Sequence, residues 1–302
     1  MNKTNHLKLY LYKHLNDRFN MRLIQILPLL FLFFSCTEQE TILETETSRR
    51  TENIKEIESS AFQTLLDSAD LRGAILVYDL EADQYHSNNY EWAKAGHLPA
   101  STYKIPNSII GLETGVAEDD STIFEWDGEP KMFARWEQDL IFKDAFHYSC
   151  VPCYQDLARN IGVKAMNEHL TKFEYGNKLI DSNDLDLFWL QGDFEISQFG
   201  QINFLKKLYL SELPISDRTE KIIKRMIVID QEEDYVLRGK TGWSRQNDID
   251  NGWFVGYIEV DGQVYFFATN IEPENNAEFD VNAFLSVRMD ITLDALRELQ
   301  II

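Results

Sequence analysis

Ser101 and Lys104, in Pro99-Ala100-Ser101-Thr102-Tyr103-Lys104, have the types and the spacing for acyl transfer. If Ser101 opens a helix, Lys104 at i+3 lies on the same face, within reach of the hydroxyl. A serine is a poor nucleophile until a base takes its proton, and a lysine takes it only when neutral or modified. Burial among apolar groups lowers a lysine pKa and supplies that condition. The four-residue pattern alone is common, and a solvated helix face accounts for it as well. Three later features change the reading. Ser149-Cys150-Val151 stands just before a helical run at 155–159. Lys240-Thr241-Gly242 ends a strand at 235–239, where the glycine lets a substrate approach the backbone. Tyr175-Gly176-Asn177 reads as a turn between them. Each piece is cheap, but their order along one chain is not.

Such groups act only if a scaffold holds them together. Apolar positions at helical spacing predict a helix over 54–69, followed by a buried strand over 73–79 and a turn at 81–83. Residues 101–213 are mostly helical in pattern, with loops around Gly128-Glu129-Pro130 and Tyr175-Gly176-Asn177. Strands follow at 235–239, 253–260 and 263–270, the last two joined by Asp261-Gly262, a strong hairpin signal. An amphipathic helix over 281–300 ends the pattern, and no internal repeat is present. The fold class this implies is α+β: an antiparallel sheet flanked by helices, with an all-helical lobe beside it. The junction of the two is a natural cleft.

With 302 residues, 44% of them hydrophobic, the chain can bury a large core. Its formal charge of -21 argues against a nucleic-acid surface and reads as a solvated acidic face. The six histidines, His6, His14, His86, His97, His147 and His169, form neither H-x-H nor H-E-x-x-H, so no metal site is expected. Near the N-terminus, Arg22 precedes an apolar run at 23–34, interrupted only by Gln25 and Pro28. That is short of the ~20 apolar residues a bilayer span needs but fits a signal-peptide core. The following Ser35-Cys36 resembles a lipoprotein cleavage box, although Phe34 is larger than the residue usual there. Residues 1–36 are therefore read as an export signal, starting at Met1 or at Met21, with Cys36 lipidated. Residues 37–53 form an acidic flexible tether and 54–302 the catalytic domain. The expected location is the periplasm, with membrane contact only through a lipid anchor.

S-x-x-K, S-x-V and K-T-G in this order are the signature of penicillin-recognising serine enzymes, and the chain resembles one family of them, the class D β-lactamases. The resemblance covers residues 71–296 and is carried by 99–115 (PASTYKIPNSIIGLETG), Tyr175-Gly176-Asn177 and Phe188-Trp189-Leu190-Gln191-Gly192. Gly239-Lys240-Thr241-Gly242-Trp243, the segment 251–256, and Arg288 with Ile291-Thr292 also match. It implies hydrolysis of a β-lactam ring through a Ser101 acyl-enzyme. Lys104 would be carboxylated by CO2 to N6-carboxylysine and serve as base in both halves of the reaction, with no other cofactor. Ser149 would relay a proton to the leaving nitrogen. Lys240, Thr241, Gly242 and Arg288 would receive the substrate carboxylate, and the backbone N–H groups of Ser101 and Trp243 would form the oxyanion hole. Val151, Trp189 and Leu190 would enclose the carbamate, with the Trp189 indole as a donor. From composition alone Trp189 is a core residue and Arg288 a surface cation. Tyr175-Gly176-Asn177 shapes the site in that family without doing chemistry, and Pro106, also present there, denies a helical hydrogen bond to the Thr102 carbonyl.

The departure from the family pattern is Cys150-Val151-Pro152-Cys153. One C-x-x-C without a second Cys/His pair is a weak zinc signal, and burial as two small apolar side chains near a helix start is favoured over a redox or metal role. Both are expected as free thiols, because a disulfide would bend the helix start and disturb Ser149. Two other functions share the motifs: a non-hydrolytic β-lactam sensor and a cell-wall transpeptidase or carboxypeptidase. The first normally sits behind several membrane helices, and the second usually has Asn where this chain has Val151. Substrate range is expected to depend on residues 126–135 and 244–250.

Overall fold

The computed structural model describes residues 55–177, 179–275 and 280–302; the expected export signal, the tether and Cys36 lie outside them. The strands are β1 (Lys55–Glu58), β2 (Leu71–Asp79), β3 (Gln84–Ser87), β4 (Ile123–Phe124), β5 (Leu140–Ile141), β6 (Val228–Gln231), β7 (Tyr235–Gln246), β8 (Ile249–Val260) and β9 (Gln263–Pro273). All but β4 and β5 form one sheet in the order β1-β3-β2-β9-β8-β7-β6. Neighbours are antiparallel except β1 with β3. The helices are α1 (Ser60–Ser68), α2 (Tyr90–Lys94), α3 (Lys104–Glu113), α4 (Phe142–His147), α5 (Val151–Ile161), α6 (Val163–Phe173), α7 (Gln198–Tyr209), α8 (Asp217–Met226) and α9 (Val281–Glu298).

The central strands are apolar on both faces because both faces are covered. Along β2, Ile75 and Val77 join a core with Phe62 and Leu66 of α1 and Phe284 and Ile291 of α9. The alternate residues Ala74 and Leu76 face a larger core shared with α3, α5, α6, α7 and α8. This is the α+β arrangement expected from the sequence. α3 is enclosed nearly all round: every residue from Lys104 to Leu112 is buried, the polar Lys104, Asn107 and Ser108 among them. Its position as the central helix of the second layer takes Lys104 out of water.

Three local expectations change. The helix predicted over 54–69 is a strand and then a helix: Lys-Glu-Ile-Glu pairs with β3, and Ser59 caps α1 by accepting from Phe62 N–H. The strand predicted at 235–239 runs on to Gln246 and turns into β8 through Asn247-Asp248, both at positive φ (53° and 60°). Residues 244–250 are thus a hairpin tip rather than an open loop, a two-residue turn of the kind that suits antiparallel strands. The third change concerns the cysteines, which are joined by a disulfide.

Candidate active site

Ser101 lies in a 3-10 turn, Ala100–Tyr103, that leads directly into α3. Ala100 adopts φ 51° to turn the chain into it. Pro106 falls in the first turn of α3, where backbone N–H groups have no helical acceptor, so it is accommodated. Lys104 Nζ is 3.2 Å from Ser101 Oγ and 4.8 Å from the centre of the Tyr154 ring. The Tyr154 hydroxyl in turn is 2.7 Å from Ser108 Oγ. The lysine has no carboxylate partner among the described residues, and burial brings its pKa down from 10.5 to about 7. A neutral amine is therefore present near pH 7 beside the hydroxyl.

Ser149 is placed by two helix ends meeting. Its N–H donates to Phe146 O (3.1 Å) and the next N–H to Ala145 O (2.9 Å), the paired bonds of a Schellman ending for α4. Ser149 therefore takes φ 52°, a left-handed conformation uncommon for any residue but glycine. Its Oγ accepts from Lys240 Nζ at 2.6 Å. Cys150 is at once the residue after that ending and the N-cap of α5, accepting from Cys153 N–H at 3.3 Å.

The expectation of free thiols is overturned here. An N-cap side chain already reaches over the third helical residue, so cysteines at these two positions meet without bending the helix. Their Cα atoms are 5.4 Å apart, a normal disulfide separation.

Trp189 is fully buried, stacked on Tyr103 at 5.5 Å between ring centres, and its indole N–H has no hydrogen-bond partner among the described residues. Few buried donors are left unmet, so an unpaired N–H on the residue next to Leu190, which lines the cleft, marks a place for an acceptor. Tyr175-Gly176-Asn177 braces the segment carrying Trp189. The Tyr175 ring packs edge-on against Tyr103 (5.9 Å), and Asn177 bonds to Asp193 O (3.3 Å) and Glu195 N (2.9 Å).

β7 forms the opposite wall. Lys240 is buried on it, and burial, followed by the charges of Lys104, Arg288 and Arg135, holds its pKa well below the usual lysine value. Arg288, on α9, is also buried. Its guanidinium donates to Gly242 O and Leu285 O, and burial lowers its pKa to about 10, so it remains a cation at neutral pH. Gly252 makes room for it: a Cβ there would meet Phe284 Cζ at 2.6 Å and Arg288 Cδ at 2.9 Å. The Trp243 indole donates to Asp250 Oδ1 at 2.8 Å.

Ser101, Ser149, Val151, Leu190, Thr241, Trp243 and Arg288 all line one cleft of about 760 Å3, with Lys104, Trp189 and Lys240 buried around it. The cleft is also lined by Arg135 and Arg245, from the two stretches expected to set substrate range, and by Trp136 and Leu187, which the sequence does not single out; nor does it single out Tyr154, beside Lys104. Tyr154 follows Val151 by three residues and so shares its helix face, a signal that was available. Trp136 and Leu187 reach the cleft only through the tertiary fold.

Residues 70–286 match the penicillin binding protein transpeptidase domain family. β-Lactamase OXA-48 of Klebsiella pneumoniae is 39% identical over 232 residues, covering 76% of this chain and 84% of its own. β-Lactamase OXA-5 of Pseudomonas aeruginosa is 36% identical, covering 77% and 88%. Among solved structures, a class D β-lactamase from Sebaldella termitidis superposes with a TM-score of 0.78 at 36% identity, over 82% of this chain and 99% of that one. Identity and coverage of this order, on a shared fold, settle the family: the chain belongs to the class D serine β-lactamases, hydrolases of a cyclic amide.

Proposed function

We propose that this protein hydrolyses penicillin-type β-lactams through a Ser101 acyl-enzyme, with Lys104 carboxylated by CO2, and thereby gives resistance to them. The observation that carries the reading is Lys104: wholly buried, 3.2 Å from Ser101 Oγ, and half neutral near pH 7. CO2 adds only to an uncharged amine, and the unpartnered Trp189 N–H is a ready donor to the anion that results. Val151 and Leu190 on the cleft wall limit water around it. Once carboxylated, Lys104 supplies a base for the proton of Ser101 and later for the proton of the hydrolytic water.

Ser101 Oγ forms an ester with the lactam carbonyl carbon, and the C–N bond breaks. Ser149 accepts a hydrogen bond from Lys240, so its hydroxyl proton goes to the departing nitrogen as it takes one from Lys240; the proton that Lys104 took from Ser101 replaces the one Lys240 gave up, which leaves the carbamate free to act again. The substrate carboxylate enters between Thr241 and Arg288, and its charge restores the ammonium form of Lys240. The backbone N–H groups of Ser101 and Trp243 face the developing oxyanion. Water then attacks the ester carbon, the C–Oγ bond breaks, and Ser101 regains its proton.

Export through residues 1–36 and a lipid on Cys36 belong to the same proposal, and labelled palmitate appearing in the wild type but not in Cys36→Ala tests it. The activity is tested by hydrolysis of a chromogenic cephalosporin with and without bicarbonate. Turnover that rises with bicarbonate is expected. A single stoichiometric burst without turnover would replace this reading with a β-lactam sensor.

A further inference from the structure

We infer that the Cys150–Cys153 disulfide is a positioning element for Ser149, so that acylation by this enzyme is under thiol–disulfide control. The inference rests on the proton-relay reading of Ser149. Ser149 is held in a left-handed conformation between Tyr148, the C-cap of α4, and Cys150, the N-cap of α5. From the α4 side it is fixed by the hydrogen bonds to Phe146 O and Ala145 O. From the α5 side the bridge from Cys150 to Cys153 closes the first turn of the helix. The two residues inside the closed turn, Val151 and Pro152, line the cleft itself. One bond therefore sets both the Ser149–Lys240 contact of 2.6 Å and part of the wall around Lys104.

Cys-x-Pro-Cys at a helix N-terminus is also the arrangement of dithiol exchange sites, in which the helix end stabilises a thiolate. Here both sulfurs are buried, Cys150 at 1% and Cys153 at 9% exposure, so a protein thiol has no access to them. That argues for a clamp on the neighbouring serine rather than an exchange centre. Reduction by a small dithiol such as dithiothreitol breaks the S–S bond, adds two electrons and two protons to give two thiols, and leaves the reagent as its cyclic disulfide. Ser149 is then free to relax out of the left-handed region and away from Lys240. A displacement of about 1 Å in a reacting group costs on the order of 100-fold in rate.

The test uses the full-length chain. Thiol titration in denaturant should return two more thiols after reduction than before it. Stopped-flow acylation by a chromogenic cephalosporin should slow at least tenfold on reduction and recover on reoxidation with oxidised glutathione. The dissociation constant of the first, non-covalent complex, from the same stopped-flow traces, should change less than threefold, because Thr241 and Arg288 still hold the carboxylate. A Cys150→Ser/Cys153→Ser variant should acylate slowly and ignore reductant. Two newly released thiols with an unchanged rate overturn the inference, as does a loss of stability with acylation intact. If the bridge resists reduction, a folded double variant acylating at the wild-type rate overturns it; should that variant misfold, Cys153→Ala carries the same expectation. An oxidised wild type that never acylates refutes the proposed function instead.

Discussion

Lowering the pH should switch this enzyme off through Lys104, and dissolved CO2 should oppose the loss. Burial alone places the amine at about 7 rather than 10.5. Half of it is then neutral at pH 7, about a tenth at pH 6 and about a hundredth at pH 5. Forming the carbamate anion from the ammonium releases two protons, so turnover at a fixed low CO2 should fall toward a hundredfold per pH unit on the limb below 7. Raising dissolved CO2 tenfold should move the midpoint of that limb about half a unit toward acid. A solvated lysine would show no such limb, being almost wholly protonated from pH 5 to 8. The assay is initial-rate hydrolysis of a chromogenic cephalosporin over pH 5–8 at two fixed CO2 concentrations. A flat profile refutes the placement of Lys104 in a dry pocket, and an acid limb indifferent to CO2 refutes carboxylation and leaves the free amine as base. Stability should follow the same group. The folded value lies below the unfolded one, so the unfolded chain binds more protons between pH 7 and 10.5, and stability rises with pH across that window. Below pH 7 the penalty of the buried cation is complete, at most about 5 kcal/mol.

Three further outcomes follow from the same geometry. Lys104→Met should abolish turnover yet raise the thermal unfolding midpoint at pH 7 in CO2-free buffer, because an apolar chain of similar length replaces a desolvated amine. Trp189→Phe keeps an aromatic ring on Tyr103 but removes the unpartnered N–H. The bicarbonate needed for half-maximal activity should rise roughly 10- to 100-fold, the worth of one hydrogen bond to an anion. Gly252→Ala pushes on Arg288 and Phe284 without entering the cleft. It should raise KM for penicillins severalfold with little change in kcat and lower stability by about 1–3 kcal/mol, read from Michaelis kinetics and denaturant unfolding.

Much of the site was legible in the sequence because its signals are local. Ser101 and Lys104 lie one helical turn apart, Asp261-Gly262 marks a hairpin, and Lys240-Thr241-Gly242 interrupts an apolar strand. The order of these pieces, with alternating and helical hydrophobic periods, was enough for the fold class and the family. Tertiary structure decided what depends on distant partners. Lys240 meets Ser149 across 91 residues of chain, and Arg288 reaches Gly242 because Gly252 leaves room for it. The Lys104 pKa comes from the layers packed around α3, and the Trp189 N–H is unmet because of what does not surround it. The cysteine pair was misjudged for the same reason. Its spacing of three residues is in the sequence, but whether the sulfurs meet depends on Cys150 being an N-cap, and that position exists only where α4 ends and α5 begins.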